Sequence, residues 1–269
     1  MLDAIAIERS LQDTRLHFSL HCHDEVDSTN EVVKALIAGG GPEGSAVTSI
    51  VQSGGYGRQG KLWASPEGGL YLSVLLRPLD HGVRPEELAT LSLVVGLAVR
   101  EALRAYDESG DISVKWPNDV LCSRGKLCGI SLEAVCGAVC VGIGVNVFEP
   151  DQVVETVGAF KPAYIEHGSH PLREAAKGRD GILETIASQV LITLDRRYGL
   201  WLEQGFEAFI DEYNERAFLT GCTVDIVSMG GDSIAAGKVM RVDVHGNLVL
   251  VDSEGREHCA SSGEAHVVL

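Results

Sequence analysis

The sequence predicts an α+β protein in which a β-sheet with helices is followed by a small barrel of strands. Short β-branched runs alternate with segments of helical periodicity through most of the chain, which indicates the sheet and its helices. From Gly221 the pattern changes to short strands separated by glycine turns, which indicates the barrel. The 269 residues suffice for one large domain with a small one attached. We expect the domains at 1–218 and 219–269.

The elements of the large domain follow from local patterns. Val32, Val33 and Leu36 share one helical face, and Pro85 suits the first position of a longer helix. β-Branched, alternating runs are typical of strands. The predicted strands cover residues 16–21, 46–52, 70–77, 112–116, a hairpin at 120–133, and 139–147. The predicted helices cover residues 28–37, 85–106, 182–198 and 200–217, and the stretch 149–181 is irregular. The barrel strands are predicted at 224–227, 235–244, 248–251 and 265–269.

Charge and composition exclude several classes of protein. The 22 Lys and Arg against 38 Asp and Glu give a net charge of −16, which opposes a main role in gripping nucleic acid. The longest apolar run, residues 91–99, is too short to span a membrane, and the first ten residues do not resemble a secretory signal. The seven scattered cysteines are typical of reduced thiols. We expect a cytoplasmic protein without a nucleic-acid or membrane partner.

The glycine-rich sequence GYGRQG at 55–60 matches two nucleotide-binding patterns, and its context rejects both. A dinucleotide fingerprint must open a helix, yet Pro66 follows within a few residues. A Walker loop needs Ser or Thr where this chain has Leu62. What remains is a flexible loop that carries Arg58, Lys61 and Trp63. Taken alone, it could equally be a mobile surface loop.

Two further motifs have both a structural and a functional interpretation. Ser28 with Glu31 forms a capping-box pattern at a helix start, and such a start also binds anions. Lys126 opens a strand after a glycine turn, which directs its ammonium group to a fixed place or leaves it as a solvated hairpin lysine. Gly142 and Gly144 share one strand face, where a ligand or another backbone can come close. His21 and His23 lack an evident third ligand, so no protein metal site is predicted.

Four blocks in this order resemble the biotin protein ligases, in the monofunctional form without a DNA-binding domain. They are DSTN at 27–30, the loop from Gln52 to Gly60 with Trp63, KWPND at 115–119 with KLCG at 126–129, and GIGVN at 142–146. The resemblance implies a class II synthetase-like catalytic domain of the biotin/lipoate ligase type, in which a mixed β-sheet is flanked by helices, with an SH3-like barrel after it. It also implies that ATP activates biotin to biotinyl-5′-AMP. The biotinyl group then passes to one lysine of a biotin carboxyl carrier protein domain in a biotin-dependent carboxylase.

The resemblance also implies the residues of the site, with ATP and biotin as substrates and Mg²⁺ as the accompanying ion. The implied catalytic residues are Lys126, Arg58 and Asp119. The implied biotin-binding residues are Ser28, Thr29, Asn30, Gln52, Gly55, Tyr56, Gly57, Arg58, Lys126 and Gly129. The implied ATP-binding residues are Arg58, Lys61, Trp63, Asn118, Lys126 and Asn146.

This chain departs from the family pattern at Tyr56, where the loop usually has arginine, so Arg58 is the one remaining loop guanidinium between the flanking glycines. Only 27 residues precede Ser28, too few for the helix-turn-helix domain of the repressor members, and we expect no such domain. Two alternatives stay open, namely a lipoate or octanoate ligase or transferase of the same superfamily and a non-catalytic sensor of biotin or biotinyl-adenylate. A homodimer is also left open.

Overall fold

The computed structural model describes residues 1–106, 110–151, 160–167, 181–228 and 230–268. Its larger sheet has seven strands in the order β1-β2-β3-β7-β6-β5-β4. Only β1 and β2 run parallel, so the sheet is mixed, which confirms the predicted fold class. The strands are β1 Ser19–Val26, β2 Ser45–Gln52, β3 Leu70–Leu76, β4 Ser113–Lys115, β5 Asp119–Cys122, β6 Gly125–Val135 and β7 Ala138–Val145.

Helices cover both faces of this sheet, to different extents. The described α-helices are α1 Ala4–Ser10, α2 Thr29–Ala38, α3 Leu88–Leu103, α4 Ile182–Gln204 and α5 Ile210–Glu215. The main core includes residues of α3 and α4 and the Leu72 and Val74 side of β3. On the opposite face, α2 packs through Val33 against Leu75 and Cys140. Because α2 covers only part of that face, the rest is available for a site. No helix among the described residues is long and apolar enough to cross a membrane.

The predicted helix break near residue 199 is wrong. Helix α4 continues to Gln204 and ends at Gly205, whose φ of 69° suits glycine. Gly199 lies inside the helix, and its lack of a side chain makes room for Arg15, because a Cβ there would stand 2.0 Å from Arg15 Nη1. The predicted second helix is accordingly shortened to a 3₁₀ turn, Phe206–Phe209, followed by α5. The predicted irregular stretch at 149–181 lies largely outside the described residues.

The smaller sheet contains five antiparallel strands in the order β11-β10-β9-β8-β12, which agrees with the SH3-like barrel implied for the C-terminal region. They are β8 Thr223–Val227, β9 Ser233–Val242, β10 Leu248–Val251, β11 Glu257–Ala260 and β12 Glu264–Val267. The sequence did not predict β11, because its residues EHCA lack an apolar alternation.

The hydrogen bonds that join the small sheet to the elements around the large sheet include those of Trp116 and Asn214. Trp116 is buried and donates its Nε1 hydrogen to Gly246 O at 2.9 Å. Asn214, in α5, accepts from the backbone N–H of Val242 at 2.7 Å. The segment between α5 and β8 also pairs with the large sheet, because Phe218 N donates to Val114 O at 2.8 Å. The domain boundary at residues 218 and 219 stays a prediction.

Candidate active site

A pocket opens on the uncovered part of the α2 face, beneath the loop formed by residues 53–66, which we call the glycine loop. The loop folds back on itself as a ribbon, in which Gly57 N donates to Lys61 O at 2.8 Å and Trp63 N donates to Gly55 O at 3.0 Å. The pocket brings together all but one of the residues that the sequence predicted. They are Ser28, Thr29, Asn30, Gln52, Tyr56, Gly57, Arg58, Lys61, Trp63, Asn118, Asp119, Lys126, Gly129 and Asn146.

Gly55 is the one predicted residue that does not line the pocket. It lies under the base of the glycine loop, where a Cβ would stand 2.4 Å from Ser65 Oγ and 2.6 Å from Trp63 O. The absence of a side chain therefore lets the two arms of the ribbon close on each other. This gives Gly55 a packing role in the loop.

The inner end of the pocket is built around Gln52, at the end of β2. Its Oε1 accepts from Thr29 N at 2.8 Å and from Thr29 Oγ1 at 3.0 Å, and its Nε2 donates to Ser65 Oγ at 2.7 Å. The predicted capping box is wrong, since the Ser28 side chain makes no capping hydrogen bond. Gln52 accepts from the N–H of Thr29, at the start of α2, instead. The buried Ser28 hydroxyl faces the pocket and does not cap the helix.

Asn30 extends this neutral network to the neighbouring strands. Its Nδ2 donates to Ser131 Oγ at 3.0 Å and to Glu133 Oε1 at 2.9 Å. Its Oδ1 accepts from Ser73 Oγ at 2.6 Å. Gly142 makes room for the arrangement, because a Cβ there would stand 2.3 Å from Asn30 Oδ1. The inner end is therefore a buried set of uncharged groups in fixed orientations, bounded by one carboxylate.

The floor of the pocket carries an indole on two glycines. Gly129 and Gly144 pair across β6 and β7, and Cβ atoms there would stand 2.8 Å and 2.6 Å from the Trp63 ring. Lys126 Nζ lies 5.2 Å from the centre of the same ring, within cation–π range. Of the two glycines predicted to let a ligand or backbone come close, Gly144 makes room for the Trp63 side chain and Gly142 makes room for Asn30.

The outer end of the pocket collects cations around one carboxylate. Lys126 Nζ lies 2.7 Å from Asp119 Oδ1, and Lys115 Nζ lies 3.9 Å from Asp119 Oδ2. Asn146 fixes the lysine strand, since its Nδ2 donates to Lys126 O at 2.9 Å. Burial lowers the pKa of Lys115, and the charge of Asp119 offsets part of that decrease. One acid therefore serves two lysines, and the balance of charge at this end is positive.

Two further cations belong to the glycine loop. Arg58 Nη1 donates to Asn118 Oδ1 at 3.2 Å, and Asn118 Nδ2 donates to Ile130 O at 2.7 Å. Burial lowers the pKa of Arg58. Lys61 forms an ion pair with Glu264 of β12, which ties the loop to the small sheet. Arg58 has a neutral amide as a hydrogen-bond partner, and the two acids whose charge it feels, Asp119 and Glu264, are already paired with lysines.

Sequence reasoning missed several residues of this site. Lys115 stood inside a motif that was singled out, but its burial could not be read from the motif. Ser73 and Tyr71 alternate along β3 with Leu72 and Val74, so strand alternation would have placed them on the site face. Glu264 lies about 200 residues from Lys61 in sequence, and no local pattern predicts that pair.

The arrangement can bind a ligand with an uncharged polar head and an anionic tail. Fixed amides and hydroxyls at the inner end suit a head that both donates and accepts hydrogen bonds. Lys126, Arg58 and Lys61 at the outer end suit phosphate or carboxylate oxygens. Among the residues that the structure describes, no group of three His, Cys, Asp or Glu side chains could hold a metal ion.

Comparison with known proteins defines first the class and then the branch to which the chain belongs. The model of the Biotin/lipoate A/B protein ligase family matches residues 24–147. The biotin–acetyl-CoA-carboxylase ligase of Mycobacterium tuberculosis is 31% identical, over 96% of this chain and 94% of that protein. The corresponding ligase of Paracoccus denitrificans is 32% identical, over 86% of this chain and 93% of that protein.

The solved structure of biotin protein ligase from Aquifex aeolicus in complex with biotin and ATP gives a TM-score of 0.73 at 29% identity. It aligns with 93% of this chain and 98% of that one. The chain therefore belongs to the Biotin/lipoate A/B protein ligase family, as a member of its biotin protein ligase branch. The resemblance found in the sequence motifs is confirmed.

Proposed function

We propose that this protein activates biotin with ATP and attaches it to a lysine of a carboxylase carrier domain. The observation that carries the proposal is the single pocket that joins a neutral, hydrogen-bonding inner end to a cationic outer end. Biotin has an uncharged ureido ring at one end and a carboxylate at the other, so it suits this polarity. The relatives that are named biotin–acetyl-CoA-carboxylase ligases support a carboxylase as the acceptor.

In this proposal the inner end binds the ureido ring. Ser28, Thr29, Asn30 and Gln52 offer the donors and acceptors that a neutral cyclic urea requires. Three of them are already held by hydrogen bonds to neighbouring residues, so little conformational entropy is lost when the ring binds.

The first chemical step needs positioning and charge stabilisation rather than a protein nucleophile. The biotin carboxylate attacks the α-phosphorus of ATP, a carboxyl–phosphate anhydride forms, and pyrophosphate leaves. Lys126 and Arg58 stabilise the negative charge that develops on the phosphate oxygens. Asp119 positions the Lys126 ammonium group through the 2.7 Å ion pair. Lys61, Trp63, Asn118 and Asn146 lie on the nucleotide side of the pocket in this assignment.

The second step transfers the biotinyl group to the carrier. The lysine amine of the carrier attacks the carbonyl carbon of the anhydride, an amide forms, and AMP leaves with the bonding electrons. The amine loses a proton in the process. The glycine loop covers the pocket, and exclusion of water from an anhydride prevents its hydrolysis.

Mg²⁺ belongs to the proposal as a companion of ATP. The pocket carboxylates Asp119 and Glu264 each face a lysine, so they do not form a dedicated metal cage. They fit the common mode in which Mg²⁺ keeps several waters and binds mainly through substrate phosphates. When bound, the ion neutralises phosphate charge and favours departure of pyrophosphate. The cytoplasmic location and the lack of a nucleic-acid partner stay predictions, and a homodimer stays an open alternative.

Exchange of labelled pyrophosphate into ATP tests the function directly. We expect exchange that depends on biotin and not on lipoate or octanoate, followed by labelling of a carrier domain with biotin. Exchange with lipoate or octanoate in place of biotin would assign the chain to the other branch of its family. Tight binding of biotin without any exchange would make it a sensor.

A further inference from the structure

The hydroxyl of Tyr56 contacts two carboxylates outside the glycine loop. It donates to Glu31 Oε1 at 2.6 Å, and Glu133 Oε1 lies within 3.0 Å as an alternative acceptor. Lys34 Nζ lies 2.6 Å from Glu31 Oε1 and 3.0 Å from Glu133 Oε2, so it offsets one of the two negative charges. The same ammonium group lies 5.5 Å from the centre of the Tyr56 ring. Tyr56 thus completes a cluster whose other three members are charged.

The cluster connects the loop to the framework of the site. Glu31 and Lys34 belong to α2, and Glu133 belongs to β6, whereas Tyr56 belongs to the glycine loop. Glu133 also accepts from Asn30, so the tyrosine anchor shares an acid with the inner end of the pocket. Burial, and next the hydrogen bond to Glu31, raise the pKa of Tyr56 above its ordinary value, so the phenol keeps the proton that it donates.

The sequence predicted a flexible loop, whereas the structure shows several contacts that hold the loop in place, which we call its anchors. Besides Tyr56, the anchors are Arg58 on Asn118, Lys61 on Glu264 and Trp63 on the sheet glycines. Arg58, Lys61 and Trp63 lie on the nucleotide side of the proposed function, where a ligand competes for their contacts. The Tyr56 hydroxyl is bonded away from phosphate, towards α2 and β6, so it can hold the loop whether or not the site is filled.

We propose that Tyr56 is a positioning residue that holds the glycine loop closed before any substrate binds, by hydrogen bonding to Glu31 and Glu133. A loop that is ordered by gripping its ligand loses conformational entropy at the moment of binding. A loop that is anchored to its own framework has lost that entropy on folding. Tyr56 therefore keeps the protein in a state that is competent to bind substrate. This consequence for substrate binding rests on the proposed function, whereas the anchoring itself does not.

Hydrogen exchange measured without ligand tests the anchor. Tyr56→Phe keeps the ring and removes the hydroxyl, and we expect the amides of residues 54–63 to exchange on the order of ten-fold faster, as for loss of a hydrogen bond to a charged group. Tyr106→Phe removes a hydroxyl from a half-buried tyrosine outside the site and should leave the loop unchanged. Unchanged loop exchange in Tyr56→Phe would overturn the proposal. So would an increase spread equally over β3 and the small sheet, because that would be a loss of global stability.

Steady-state pyrophosphate exchange then separates positioning from direct contact with the reacting atoms. If the loop is closed in only a fraction of Tyr56→Phe molecules, KM for biotin should rise by a factor close to the reciprocal of that fraction, with kcat at saturation unchanged. A fall in kcat with constant KM would contradict a positioning role. Wild-type protein without biotin-dependent exchange would instead refute the proposed function, and the loop measurement would still stand because it uses no substrate.

Discussion

The two ends of the pocket are built on opposite principles. At the inner end, Thr29, Asn30 and Gln52 use their polar atoms on one another and on neighbouring strands, at distances of 2.6–3.0 Å. At the outer end, positive side chains outnumber the acids, and the hydrogen-bond partner of Arg58 among the described residues is an amide. The inner end is therefore a finished structure, while the outer end holds unbalanced charge.

This difference indicates how the two ends contribute to a reaction. Groups with fixed orientations discriminate between ligands, because a ligand that fails to match leaves buried polar atoms unpaired. Cations that are held in place but outnumber the neighbouring acids stabilise the negative charge that develops on phosphate oxygens. We expect substitutions at the inner end to change affinity for biotin, and substitutions at the outer end to change the rate of adenylate formation or the affinity for ATP.

The largest effect is expected for Lys126→Ala. The loss of this cation should lower biotin-dependent pyrophosphate exchange by about 10²-fold or more, because a fixed charge near the reacting oxygens acts mainly in the transition state. Lys126→Arg should also be poor, since a planar guanidinium does not reproduce a compact ammonium group. Lys238→Ala, on the exposed side of β9, is the control and should leave exchange unchanged. Near-normal exchange in Lys126→Ala would remove this residue from the reaction.

The next effect belongs to the inner end. Asn30→Ala removes the hydrogen bonds to Ser73, Ser131 and Glu133, and we expect KM for biotin to rise roughly ten-fold to a hundred-fold while KM for ATP changes little. Asn214→Ala is a matched control, because that amide is similarly bonded but lies between α5 and β9. It should lower the melting temperature and leave both KM values as they are. Equal changes in KM for biotin and for ATP would erase the distinction between the ends.

A smaller effect is expected where the two ends meet at the floor. In Gly144→Ala the new Cβ would stand 2.6 Å from the Trp63 ring, so the indole must move. Because the ring belongs to a loop, we expect a loss of about 1 kcal/mol in the free energy of unfolding, at the low end for overpacking. Gly96→Ala meets Val114 at an ordinary 3.6 Å inside α3 and should not destabilise the protein. Chemical denaturation compares the two variants.

The smallest effect is expected at the rim of the pocket, where the direction of the change in KM for ATP distinguishes two roles of the Lys61–Glu264 ion pair. Lys61→Ala should raise KM for ATP by only a few-fold, because this half-exposed lysine is an outer contact. Glu264→Gln frees Lys61 from its partner and should lower KM for ATP by a similar factor. If both variants raise KM for ATP, the ion pair is important for placing the loop rather than as a reserve of positive charge.

The sequence predicted the outer end well because its chemistry is carried by contiguous motifs. Asp119 and Lys126 lie on paired neighbouring strands, so a hairpin prediction already brings them together. The glycine loop was located by composition alone. Once its context had excluded two nucleotide-binding patterns, the two cations of the loop remained as candidate ligand-binding residues. The order of strands and helices followed from periodicity, whereas the mixed sheet was implied by the family resemblance.

The inner end and the loop anchors were harder to predict because they depend on pairs far apart in sequence. Asn30 and Ser131 meet across about a hundred residues, and only the register of β3, β7 and β6 aligns them. The capping box failed for a similar reason, since Gln52 from another element satisfies the Thr29 N–H. The role of Gly199 required knowledge of Arg15, which packs against it from the N-terminal segment.

The placement of Trp63 has an optical consequence. The chain has three tryptophans, and two of them, Trp116 and Trp201, are buried with their Nε1 hydrogens donated to Gly246 O and Thr90 Oγ1. Trp63 lies on the pocket floor beneath a lysine, and its Nε1 has no acceptor among the described residues. Any ligand that enters the pocket changes the polarity and the charge around this one indole. The intrinsic emission of the unlabelled protein should therefore shift on binding, against a constant background from the other two.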